Sequence, residues 1–146
     1  MKTHRGKIVP ALLFLGAILT AAMPSDTYAR DNAVERNIIV EEAKHYGVST
    51  HLALALGFVE SNYDPEIKNP SSTATGLFQF LTGTWARYCE GERTDARDNA
   101  RCAMRMISEG GLGHWLADPT VLPKLLKEGV ARESITRYSR KEIALK

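Results

Sequence analysis

Ser49-Thr50-His51-Leu52-Ala53-Leu54-Ala55-Leu56-Gly57-Phe58-Val59-Glu60-Ser61 reads as one helix with an acid at the end of its apolar face. Ser49 is a good N-cap residue, and no proline interrupts the segment it opens. Leu52, Leu56 and Glu60 fall at i, i+4 and i+8, so they share a stripe. A carboxyl closing an apolar stripe is costly to ionise and holds its proton to higher pH. A general acid near neutral pH needs that property. The competing reading is that Glu60 emerges into solvent where the helix stops.

The flanking sequence is also helical. Asp31 or Asn32 can cap an earlier helix with Val34, Ile38, Ile39 and Ala43 on one side and Gly47 as its stop. Between Asn62 and Thr75, two prolines and several turn formers make a loop. Gly76-Leu77-Phe78-Gln79-Phe80 fits either a short strand or a helical turn, because five residues carry too little periodicity. Thr82 can cap a short helix through Trp85 and Tyr88. A longer helix is predicted from Asp95 to Glu109, with Ala96, Ala100, Ala103, Met104 and Ile107 inward and Arg97, Arg101 and Arg105 outward. Gly110-Gly111-Leu112-Gly113 ends it. Pro119 and Pro123 frame another short helix with Leu122, Leu125 and Leu126 on its apolar side. Strand signals are scarce. The expected fold is a mainly α single domain with at most a small β element.

Composition narrows the function classes. The 146 residues are 44% hydrophobic and 25% charged, as in one globular domain. A net charge of +2 gives no argument for nucleic acid. His4, His45, His51 and His114 have no metal-ligand spacing, and there is no phosphate loop or nucleophile elbow. No metal and no cofactor is expected.

Residues 1–29 have the layout of a secretory signal peptide. Lys2, Arg5 and Lys7 precede the apolar run Ala11 to Leu19, and a small-residue zone ends at Thr27-Tyr28-Ala29. The apolar stretch is shorter than the ~20 residues of a spanning helix, so cleavage is expected rather than an inner-membrane anchor. The expected location is periplasmic or secreted. In an oxidising compartment Cys89 and Cys102 are expected to pair, closing a loop whose constraint is worth ~3 kcal/mol. The domain is expected over 30–123. Residues 124–146 carry seven Lys/Arg against three Glu and read as a basic helical tail, a solvated face or a contact for an anionic membrane surface.

Glu60-Ser61, then Ala74-Thr75-Gly76-Leu77-Phe78-Gln79-Phe80 with Thr84-Trp85, then Asn99-Ala100-Arg101-Cys102-Ala103 with Ile107, Gly110-Gly111 and Trp115, resemble the three blocks of the lysozyme-like lytic transglycosylases. The likeness runs from about Val34 to Trp115. It implies a lysozyme-like helical fold with a cleft for peptidoglycan glycan strands. It places Glu60 on the family's catalytic glutamate, Ser61 on its companion and Gln79 on the glutamine of the cleft. The simpler readings are a helix-end cap for Ser61 and a surface amide for Gln79. Phe78 and Phe80 alternate, so one is expected against sugar rings and the other in the core. Trp85 and Trp115 are expected to pack inside.

Most glycosidases use two carboxylates. In animal-type lysozymes the second stands where this chain has Ala74, and no acid occurs between Glu66 and Glu90. Asp64 and Glu66 are the nearby alternatives, and Asp64 before Pro65 reads as a turn former. A single carboxylate suffices for a lytic transglycosylase, in which the C6 hydroxyl of N-acetylmuramic acid closes a 1,6-anhydro ring. A muramidase and a glycan-binding assembly module are the rival readings. Two family features are missing: the proline after the Gly-Leu-x-Gln segment, replaced by Leu81-Thr82, and a late Ala-Tyr-Asn motif. Tyr138, the only late tyrosine, lies in a different context. Small transglycosylases serving envelope secretion or conjugation machines often lack such parts, which makes these machines the expected partners besides glycan.

Overall fold

The computed structural model describes residues 32–139. The expected signal peptide and the last seven residues lie outside them. Seven helices occur among the described residues: α1 (Ala33–His45), α2 (Thr50–Ser61), α3 (Thr82–Tyr88), α4 (Ala96–Ser108), α5 (Gly113–Leu116), α6 (Val121–Lys127) and α7 (Arg132–Ser139). The mainly α expectation holds. The β content is two isolated antiparallel bridges, Lys68 to Thr75 and Thr75 to Phe80.

Helix α2 is the axis of the core. Ser49 caps it, its hydroxyl accepting the Leu52 N–H at 3.4 Å. Its C-terminal end turns at Asn62, which has φ +50. Leu52 and Leu56 are fully buried. α1 packs on one side of α2 and α6 on another, while α4 lies against α1. Gly57 permits this closeness, since a Cβ there would stand 2.9 Å from the Ile39 side chain. Arg97 of α4 is on the outside as expected, and it reaches back to α1, contacting Glu42 at 3.0 Å and Glu41 at 2.8 Å.

Three expectations need correction. Val34 is exposed, and the buried face of α1 begins at Ile38 and Ile39. Asn32 stands at the N-cap of α1 but makes no capping bond, its Oδ1 being buried without a partner among the described residues. The alternative cap, Asp31, lies outside them. Thr82 is already the first helical residue of α3, whose N-cap is Leu81. The Asn32 amide donates to the Asn62 carbonyl at 3.0 Å, and the Thr82 hydroxyl accepts from Arg93 at 3.0 Å. The boundary after residue 123 does not stand either. Leu125, Val130, Ile135 and Tyr138 are buried in the common core, so the fold runs through α7. The Tyr138 hydroxyl donates to the Gly47 carbonyl and accepts the Ser49 N–H, both at 3.0 Å. It ties α7 to the turn that starts α2.

Cys89 and Cys102 form a disulfide, joining the end of α3 to α4. Helix α3 has no buried residue of its own. The bridge and the contact of Trp85 with Phe80, ring centroids 5.4 Å apart, hold it down.

Candidate active site

The five-residue segment after the loop is neither strand nor helix. It is a turn closed by paired hydrogen bonds between Thr75 and Phe80, each N–H reaching the other's carbonyl at 3.1 Å. Gly76 has φ +86, and a Cβ on it would collide with the Asn99 amide and the Arg93 carbonyl. Only glycine fits both demands. Asn99, fully buried on α4, accepts the Phe78 N–H at 2.9 Å and donates to the Arg93 carbonyl at 2.7 Å. One amide therefore pins the turn and the loop beside it.

Ser61 performs the corresponding task from α2. Its hydroxyl is buried, 2.8 Å from the Leu77 carbonyl and 3.0 Å from the Gly57 carbonyl. The end of α2 and the turn are thus locked together, which fixes Glu60 relative to Gln79. Ser61 was expected at the substrate. The structure spends its hydroxyl inside the protein, on the two carbonyls.

Glu60 and Gln79 line one cavity of about 330 Å³ with Ala74, His114, Trp115 and Asp118. Glu60 is half-buried, and its carboxyl is pushed up to about 7. Burial is the main cause, the Asp118 charge adds to it, and Lys124 pulls the other way. The apolar-stripe reading of Glu60 therefore has its physical counterpart. Gln79 has φ +48, and its amide nitrogen donates to the Gly76 carbonyl at 3.0 Å and the Ile67 carbonyl at 3.3 Å. With that nitrogen committed, the amide oxygen is the group left to accept a hydrogen bond from a ligand.

The two phenylalanines do not divide between cleft and core. Phe78 is fully buried and Phe80 nearly so. The tight turn directs both rings inward, where each meets Trp115 edge-on, at 6.5 and 5.5 Å between centroids. The expected sugar contact by one of them is corrected. Trp115 is buried as expected, and its indole N–H donates to the Phe78 carbonyl at 2.8 Å.

Neither Asp64 nor Glu66 lines the cavity. Asp64 is a turn former, accepting the Glu66 N–H at 3.0 Å. The second carboxylate of the cleft is Asp118, which the sequence reading missed. It lies in an Asp-Pro-Thr turn far from Glu60 in sequence, and no spacing pattern relates the two. Lys124, read as part of a basic tail, also faces this cavity.

A family model described as the transglycosylase SLT domain matches residues 37–110. The chain belongs to the transglycosylase SLT family. Members of this family are lytic transglycosylases acting on peptidoglycan, and this SLT domain is an enzyme of that class. No solved structure gives a significant match. The matched span contains Glu60, Ser61, Gln79, Asn99 and both cysteines, whereas Trp115, Asp118 and Lys124 lie beyond it. Among the described residues of the SLT domain, no helix is long and apolar enough to cross a membrane.

Proposed function

We propose that this SLT domain cleaves the β-1,4 bond between N-acetylmuramic acid and N-acetylglucosamine and releases 1,6-anhydro-muropeptides, with Glu60 as its acid and base. The observation that carries the reading is the Glu60 carboxyl, raised to about 7 at the wall of the cleft. A group with that pKa is about half protonated at neutral pH, so it can give a proton and also recover one from a hydroxyl.

In the first step Glu60 gives its proton to the glycosidic oxygen leaving C1 of the muramic acid residue. The bond breaks and the substrate's acetamido group supports the positive charge at C1. In the second step the Glu60 carboxylate takes the proton from the C6 hydroxyl of the same sugar. Its oxygen closes on C1, and the enzyme is returned with its proton. Water is not consumed, because an attached hydroxyl has a high effective molarity. Ala74 stands in the cleft at the position where animal-type lysozymes carry their second acid, which supports this path over a muramidase. Gln79 is assigned to hold the strand through its amide oxygen. Ser61 holds Glu60 in place and does not contact sugar.

Export by the signal peptide, and wall opening around an envelope secretion or conjugation machine, complete the proposal. The support for the latter is the resemblance to small transglycosylases without the late tyrosine. Here the Tyr138 hydroxyl is occupied at Gly47 and Ser49.

The test is mass spectrometry of digested sacculi. Wild-type protein is expected to give anhydro ends, and Glu60→Gln to lose at least the ~10²–10⁴-fold that a general acid–base supplies, with fold and sacculus binding retained. Reducing ends from the wild type would establish a muramidase. Near-normal cleavage by a well-folded Glu60→Gln protein would sink the assignment of Glu60.

A further inference from the structure

Asp118 shares the cleft with Glu60, and the two steps above give it no task. It sits between α5 and α6, its Oδ1 accepting the Thr120 N–H at 2.8 Å. Pro119, between them, fixes its own φ and stiffens the turn. The backbone and hydroxyl of Thr120 both hydrogen-bond to the carboxylate and hold Asp118 below its usual range. It is therefore an anion at neutral pH. Lys124, on α6, faces the same cavity.

The remaining charged groups around Glu60 can be placed element by element. His114 of α5 lines the cavity, with its ring packed on Tyr88 at 5.8 Å. His51 of α2 is bonded to the Glu128 carbonyl at 3.0 Å, near the other end of that helix. Asp64, Glu66 and Lys68 of the loop do not line the cavity, nor do Lys127 and Glu128 at the end of α6. The charged residues of α1, which packs on α2, do not line it either. The turn bearing Gln79 contributes no titratable group.

We propose that Asp118 is a positioning residue of the cleft, a fixed anion that acts on the reaction through Glu60 and is opposed by Lys124. The inference rests on the reading of Glu60 as acid and base. No bond forms to Asp118 and no proton moves to it. Its charge makes ionisation of Glu60 costly, which favours the proton-carrying form at the start. The same repulsion makes the Glu60 carboxylate a stronger base toward the C6 hydroxyl. A negative charge in the cleft also favours the positive charge that develops at C1. Lys124 keeps the Glu60 proton releasable. The directions of the two influences on Glu60, upward from Asp118 and downward from Lys124, agree with this division.

The experiment is the pH–rate profile of muropeptide release from purified sacculi by wild type, Asp118→Asn and Lys124→Met. Asparagine keeps an oxygen for the Thr120 N–H, so the turn persists, and thermal melting checks that both variants fold. The wild-type rate should fall on the alkaline side near pH 7, where Glu60 loses its proton. This limb should move down by ~0.5 pH unit in Asp118→Asn and up by a similar amount in Lys124→Met. A purely structural role for the turn cannot shift the two limbs in opposite directions. His114→Gln should retain the limb, and its disappearance there would assign the titration to the imidazole and overturn the proposal. Limbs that stay put, or move together, would overturn it as well. A loss beyond ~100-fold at every pH in Asp118→Asn would make Asp118 a catalytic carboxylate instead. Failure of the Glu60 reading is separately visible, as persistent cleavage by Glu60→Gln.

Discussion

Ser61 is one residue from Glu60 in sequence, yet its hydroxyl is turned into the protein and bonded to the Leu77 carbonyl. Losing that bond leaves a buried carbonyl with less than its full complement. Ser61→Ala should therefore lower stability by ~1–3 kcal/mol, measured by urea unfolding. KM for glycan should stay near wild type, and a large rise in KM with unchanged stability would place the hydroxyl on the substrate instead. Asn99→Ala should cost more, on the order of 3 kcal/mol, because it strands both the Phe78 N–H and the Arg93 carbonyl. At this scale Glu60 drew notice as a carboxyl closing an apolar stripe, a pattern that a helix end emerging into solvent also gives. The Glu60-Ser61 and Gly76-Leu77-Phe78-Gln79 segments are what singled it out. Asp118 was not singled out, because an acid before a proline looks like any other turn. Its role depends on α6 folding back beside α2, a contact between distant segments that local patterns do not encode.

Among the elements, α3 depends most on one covalent link. It contributes no buried residue, and the bridge from Cys89 to Cys102 fastens its end to α4 across a sequence separation of 13. Opening the bridge restores the freedom of that loop in the unfolded chain, which amounts to ~3 kcal/mol. For a domain of this size the melting temperature should fall by ~10–20 °C on reduction. Calorimetry with and without reductant checks this, and an unchanged melting temperature would show that packing alone holds α3. Alkylation of oxidised protein should find no free thiol. Helices α1, α2 and α4 could be read from sequence because their length gives periodicity several turns in which to show. The 76–80 turn could not, since its shape is imposed by Asn99 on one side and Ser61 on the other. Phe78 and Phe80 were misread for the same reason: alternation separates two side chains in a strand but not in this turn.

For the whole molecule, the site and the stability of the fold pull against each other at Glu60. Burial lifts its pKa from the ordinary 4.5 to about 7. A folded pKa above the unfolded one means that the native state binds the proton more tightly. The resulting stabilisation is fully present below pH 4.5 and is lost as the pH rises through 7. The difference corresponds to ~3 kcal/mol as an upper bound, since the group is not wholly enclosed. Glutamine has nothing to ionise and keeps the shape. Glu60→Gln should match wild type in melting temperature at pH 4 and exceed it at pH 8, the gap opening between pH 4.5 and 7. A constant gap across that range would mean that the carboxyl titrates alike in folded and unfolded chains, leaving no raised acid for catalysis. The gap should narrow in an Asp118→Asn background, because part of the strain comes from that neighbouring charge.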